Sequence, residues 1–204
     1  MRRIAVSLDD DLVERLEWEA SQSDITLDKF VGTILRSRAD RPWRWMPQEE
    51  WEAMTSGEDC PICRTLAAGE LVDPYGFTVT DLSLCRLRLV RNQSLPGYCV
   101  LLCREHVVEP YDLSDEKRVL FWQETVSAAR AVAEVFKPAK MNLEILGNAV
   151  PHLHSHIIPR YYDDWAPGRP IDPGERTVLL KQAEYEERVV RIRAALAGRS
   201  GTRH

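Results

Sequence analysis

No apolar run in this 204-residue sequence is long enough to cross a bilayer as a helix, so no membrane partner is expected. An excess of basic charge is also missing. Lys and Arg number 27 against 32 Asp and Glu, for a net charge of −5, which excludes general coating of nucleic acid and leaves room only for a local basic patch. The N-terminus, MRRIAVSLDDDL, opens on arginines, but its apolar stretch is too short before the acids for a signal peptide. Cysteines are five, an odd set without the spacing of a disulfide framework. These absences predict a reducing, cytoplasmic setting, in which paired cysteines are metal ligands before they are disulfides. No internal repeat or low-complexity tract is present.

What is there is ordinary globular composition, 44% hydrophobic and 29% charged, in a length that suits one medium domain with a small module attached. Residues 1–40 read as that module. RIAVSL alternates, with Ile4, Val6 and Leu8 on one face and Arg3, Ala5 and Ser7 on the other, the pattern of a half-buried strand. Asp9, Asp10 and Asp11 supply a cap and first-turn acids. Leu12, Val13, Leu16 and Ala20 then recur at helical spacing, and a second helical stripe runs through Leu27, Phe30, Val31, Ile34 and Leu35. Residues 41–57, with the prolines and tryptophans of RPWRWMP, read as a linker packed partly on the main domain. Residues 58–197 form the main domain, and 198–204 a disordered tail.

The main domain has an α+β pattern. Residues 76–82, 85–92 and 97–104 read as strands, 114–136 as a long amphipathic helix capped by Ser114, 141–146 as a strand and 175–197 as a last helix. Between the last two, residues 151–160 read PHLHSHIIPR. Alternation along a strand puts His152, His154 and His156 on one face. Three adjacent imidazoles make poor core, since each carries a donor and an acceptor that burial must satisfy. The row therefore points to a nucleophile, an acid and a metal ligand facing a pocket. CPIC places Cys60 and Cys63 at a spacing that lets both thiolates hold one tetrahedral zinc. His106 and His152 are candidates for the other two ligands. A redox pair or two buried thiols are the alternatives for CPIC, while Cys85, Cys99 and Cys103 sit in apolar strand patterns and read as core.

The stretch GNAVPHLHSHIIPRY resembles the histidine-triad (HIT) superfamily of nucleotide hydrolases and transferases, whose signature alternates three histidines with apolar residues. CPICRTLAAGEL, GYCVLLCREHVVEPYDLSDEK and MNLEILGN extend the resemblance over roughly residues 58–165. It implies a HIT-like antiparallel sheet with flanking helices. It implies that His154 is the nucleophile, forming a nucleotidyl-imidazole intermediate at an α-phosphate, and that His156 holds phosphate oxygens and helps protonate the leaving group. In members bearing CxxC it makes His152 a ligand of a structural zinc with Cys60, Cys63 and His106. Asn142 and Asn148 stand where short amides contact ribose or phosphate in the family, or else serve turn chemistry. Arg160 is a candidate phosphate ligand or a plain strand-end residue. The sequence departs from the family at Ser155, where an apolar residue is usual, and in the short turn GNAVP, which lacks the common Gly-Gln-Ser/Thr phosphate clamp.

Residues 1–40 resemble the ribbon–helix–helix repressors and antitoxins, in which two chains pair their strands and the outward residues read DNA. That implies DNA contact through Arg3, Ala5 and Ser7. The module's six basic and nine acidic side chains are a poor balance for phosphate neutralisation, which favours a dimerising role. The leading expectation is an enzyme acting on a dinucleoside polyphosphate or a nucleoside phosphoramidate. A nucleotide-sensing DNA-binding regulator is the alternative, and a homodimer is expected in either case.

Overall fold

The computed structural model describes residues 10–22, 26–32 and 46–198. The chain divides into two units, Met1–Pro47 and Gln48–His204. In the first, helix α1 spans Asp10–Gln22 and residues 27–32 are helical. The expected strand carrying Arg3, Ala5 and Ser7 lies outside the described residues, as do 33–45 of the second stripe and linker and the tail beyond Gly198. The ribbon–helix–helix pairing and its DNA-reading face therefore rest on sequence alone.

The second unit opens with helix α2 (Gln48–Thr55), in a stretch expected to be linker. Glu49 and Glu50 occupy its first turn, where the helix dipole favours acids, and Met54 is buried. Helix α3 (Pro61–Ala68) follows. Cys60 is its N-cap, Pro61 sits in the first turn where a missing N–H costs nothing, and Gly69 at φ 66° ends it.

Six antiparallel strands form one sheet: β1 (Val72–Asp73), β2 (Gly76–Asp81), β3 (Cys85–Val90), β4 (Cys99–Cys103), β5 (Lys140–Glu144) and β6 (His154–Arg160). Their order is β1-β2-β3-β4-β6-β5, so β6 inserts between β4 and the edge strand β5. The connection from β4 to β5 is helix α4 (Asp115–Phe136), whose N-cap Ser114 accepts from the Lys117 N–H as expected. Helix α5 (Gln182–Ala197) closes the unit. It was expected from residue 175. The intervening backbone is held elsewhere: Asn92 donates to the carbonyls of Pro173 and Arg176 and accepts from the Val178 N–H.

The pleat decides what each sheet face does. Leu87, Leu89, Cys99, Leu101, Cys103, Ser155 and Ile157 point to one side and are fully buried there. Phe121, Ala128 and Val132 of α4 and Tyr185, Val189 and Ile192 of α5 join the apolar members of that set in one core. Glu124 fixes α4 to the β2–β3 hairpin, because its buried carboxylate accepts the N–H groups of Leu84 and Cys85, both at 2.9 Å. The residues alternating with this set face the other way. Cross-strand pairing puts His154 beside Leu102, His156 beside Val100 and Glu144, and Ile158 beside Asn142. Helices α4 and α5 thus cover one face, and the strand histidines lie on the other.

Ser155 is the exception on the helix-packed face. It is paired with Leu101, is 0% exposed, and its hydroxyl has no hydrogen-bond partner among the described residues. A buried hydroxyl without a partner costs about 1–3 kcal/mol. Ser155→Ala is therefore expected to raise the stability to urea by about 1 kcal/mol. A lowered unfolding midpoint would show that this hydroxyl is bonded after all.

Candidate functional site

The site is built from the bend before β6, the strand itself, the end of β4 and the N-cap of α3. The strand begins at His154, and His152 lies in the preceding bend. Its backbone N–H bonds to the Val150 carbonyl, and its neighbour Leu153 is paired to Val107 and Cys103. These bonds fix the bend that carries the His152 ring against Cys60.

Cys60, Cys63, His106 and His152 come together as expected, with their four ligand atoms all within 4.8 Å of one another. His152 Nδ1 lies 3.3 Å from Cys60 Sγ and 3.5 Å from Cys63 Sγ; His106 Nδ1 lies 3.2 Å from Cys63 Sγ. Donors around a tetrahedral zinc stand about 3.3–3.8 Å apart, given its bond lengths to sulfur and nitrogen. The ring tautomers agree with this. His152 Nε2 donates to the Cys103 carbonyl and His106 Nε2 to the Thr55 carbonyl, both at 2.8 Å. A neutral ring has one proton, so each Nδ1 is left with a lone pair. The two lone pairs lie 3.1 Å apart with no proton between them, and a shared cation relieves that repulsion. Burial pushes the Cys63 thiol up to about 11 and His152 down to about 4. The imidazole is thus already in its ligating form, and only the thiols must lose protons to a metal. Gly57, at φ 87°, lies against the His106 ring, where a Cβ would stand 3.2 Å from it.

His154 sits one pleat further on. Its Nδ1 donates to the His152 carbonyl at 2.6 Å. A carbonyl can only accept, so the proton is on Nδ1 and the Nε2 lone pair is free. Burial holds its pKa below the usual histidine value, against the opposing effect of that carbonyl, and the ring stays neutral at pH 7. The His156 ring lies 4.9 Å away, nearly edge-on. Its Nδ1 is 2.7 Å from the Tyr98 hydroxyl. Tyr98 was legible in the sequence only as a strand residue; no spacing or motif marks it as a partner of the triad.

The candidate substrate residues Arg160 and Asn142 bond to each other at 2.9 Å. All five N–H donors of Arg160 have protein acceptors: Asp164 through two oxygens at 2.6 and 2.9 Å, Asn142 Oδ1, and the carbonyls of Ala166 and Arg169. Arg160 and Asn142 thus tie the loop 161–170 to the end of the sheet. They also help line a cleft of about 440 Å³ with Lys140, Glu144, Tyr162 and Arg169. Asn148 is exposed in the turn that follows Gly147, whose φ is 63°, and among the described residues no hydrogen bond joins it to the histidines.

The HIT domain family model matches residues 75–163. The curated Protein hit of Bacillus subtilis is 27% identical over 118 residues, covering 53% of this chain and 75% of that one. A crystal structure of a histidine triad protein from Bradyrhizobium japonicum is 28% identical, with a TM-score of 0.56 over 60% of this chain and 91% of its own. A histidine triad protein from Marinobacter aquaeolei is 25% identical, with a TM-score of 0.58 over 68% and 97%. The matched stretch contains strands β2 to β6 and the triad; β1, Cys60 and Cys63 lie before it. Among the described residues no helix is long and apolar enough to cross a membrane.

Two outcomes follow from this geometry. The purified protein should carry about one tetrahedral metal ion per chain, and Cys63→Ala should lose most of it and melt several degrees lower. Elemental analysis beside thermal melting reads both; metal-free wild type that is indifferent to a chelator would remove the site. The second concerns the Arg160–Asp164 pair, with side chains 12% and 4% exposed. Arg160 holds the Asp164 carboxyl down to about 2. A depressed carboxylate stabilises the fold above its ordinary value near 4, and that contribution is lost as pH falls toward 2. Asp164→Asn should therefore cost about 2 kcal/mol at pH 7. The gap between the two urea curves should close between about pH 4 and 2; a gap independent of pH would assign it to packing.

Proposed function

We propose that this chain is a nucleotide hydrolase or nucleotidyltransferase of the histidine-triad kind, with His154 as its nucleophile. One observation carries the reading: the His154 Nδ1–H is bonded to the His152 carbonyl at 2.6 Å, so a neutral imidazole presents its Nε2 lone pair on the sheet face opposite helices α4 and α5. That is the form required for attack on an electrophile. In the HIT setting the electrophile is the α-phosphate of a nucleotide. The Nε2–P bond forms as the bond to the leaving group breaks, and the electron pair departs with the leaving group. Water or another acceptor then attacks phosphorus, and the pair of the N–P bond returns to Nε2. His156, beside it on the same face, contacts the phosphoryl oxygens. Dinucleoside polyphosphates and nucleoside phosphoramidates are the two candidate substrate classes.

The residues Cys60, Cys63, His106 and His152 would hold zinc in a closed site of four protein ligands. Such a site leaves no position for substrate, so the metal's contribution is structural. It fixes the bend that carries His152, and through that carbonyl the ring of His154.

The test is turnover of a panel: diadenosine polyphosphates, adenosine phosphoramidate, adenylyl-lysine, and a nucleotide sugar with an acceptor. Wild type is expected to turn over at least one, and His154→Ala to lose roughly 10³-fold or more in kcat while keeping its metal and its melting temperature. Equal rates in the two proteins would remove His154 from the chemistry.

A further inference from the structure

Tyr98 is the last residue before β4, and its conformation is closely determined. Its N–H bonds to the Leu95 carbonyl, and the preceding Gly97, at φ 85°, bonds to Gln93. The ring is 7% exposed and belongs to a small core with Leu95, Ile158, Ala166 and Ile171. This core lies on the histidine face of the sheet, and the Tyr98 ring stacks on His156 with centroids 6.0 Å apart. The hydroxyl reaches His156 Nδ1 at 2.7 Å, its one hydrogen bond among the described residues.

A phenol has one proton. Accepting from an Nδ1–H would leave that proton buried without an acceptor, whereas donating it to Nδ1 satisfies both atoms. We propose that Tyr98 is a positioning residue that donates to His156 Nδ1 and so fixes His156 as a hydrogen-bond donor at Nε2, holding a phosphoryl oxygen rather than protonating the leaving group. The inference rests on the function proposed above. His154 and His156 are then set in opposite tautomers, one presenting a lone pair and the other a proton.

The groups facing His156 are Tyr98, His154 and, across the strand pair on β5, Glu144. Burial and the His154 neighbour push His156 down to about 4, while burial and the Glu144 charge push the Tyr98 phenol above its usual range. Neither group changes its protonation near pH 7. A neutral imidazole that gave up its Nε2 proton would become an imidazolate, too strong a base for most leaving groups to create. The proton balance is therefore simple. His154 Nε2 bonds to phosphorus, the leaving atom takes the electron pair and departs as an anion, and His156 keeps its proton. That suits weakly basic leaving groups, of the phosphate or polyphosphate class, over amines.

Two readouts on the full-length protein test this. Nitrogen-15 correlation spectra report imidazole tautomers directly. Wild type is expected to show His156 as the Nε2–H form from pH 6 to 8, and Tyr98→Phe, which keeps the ring, to show a mixture. An Nδ1–H or doubly protonated His156 in wild type overturns the assignment. The second readout is a series of aryl esters of adenosine monophosphate with leaving phenols of graded acidity. Wild-type kcat/KM is expected to rise steeply with that acidity, and Tyr98→Phe to lower it by about 10–100-fold across the series. A wild-type rate indifferent to leaving-group acidity, the mark of proton donation, overturns the proposal. Absence of turnover with every ester would strike at the enzyme assignment, while the spectra still decide the role of Tyr98.

Discussion

The arrangement depends on one buried residue, His152, and on the rule that a carbonyl oxygen only accepts. Its ring gives the Nε2–H to the Cys103 carbonyl and turns Nδ1 to the two cysteines, and its own carbonyl takes the Nδ1–H of His154. A fully buried imidazole is costly unless both nitrogens are satisfied. Here satisfying them links the metal-ligand cluster to the triad. The cysteine–histidine cluster fixes the bend, the bend fixes the carbonyl, and the carbonyl fixes which nitrogen of His154 carries its proton.

The neighbouring histidine is governed by the opposite kind of partner. A carbonyl beside Nδ1 leaves the far nitrogen of His154 with a lone pair, while a phenol donating to Nδ1 leaves the far nitrogen of His156 with a proton. With rings 4.9 Å apart, the same side-chain type supplies two functions through backbone and tyrosine contacts alone. Burial reinforces this by keeping both rings neutral, so neither role depends on a change of charge near pH 7.

Much of this was legible in the sequence, for identifiable reasons. The CPIC spacing, His106 and the triad are local patterns, and the ligand set they imply is the one the fold brings together. The α+β order was readable from periodicity, and the long helix began at its cap. His152 lies two residues before the strand, in a bend held by the Val150 carbonyl, where its ring meets the two cysteines. Tyr98 was missed because its role comes from lying across the sheet from His156, 58 positions away in sequence. Arg160 and Asn142 were read as candidates for substrate contact or for plain strand-end and turn roles, because a strand-end arginine and a short amide carry no sign of their partners. Those partners, Asp164 and the carbonyls of 166 and 169, appear only when the loop folds back. Residues 48–55 were read as linker because prolines and tryptophans just upstream hid a two-turn helix whose last carbonyl orients His106.

The Arg160 clamp completes the argument about β6. A strand read by its alternation is vulnerable to a slip of one residue, which would send every side chain to the other face. In this strand a slip would bury His154 and His156 in the helix-packed core and expose Ile157. Hydrophobic pairing with Leu101 and Cys99 resists that, but Ser155 stands in the middle of the buried set and weakens the contrast between faces. The two ends of the strand compensate. At the start, His152 is held by Cys103 and its cluster. At the end, Arg160 is held by Asp164, Asn142 and two loop carbonyls. Pinned at both ends by polar contacts that tolerate no shift, the strand holds its histidines in register although the residue between them contributes little to the core.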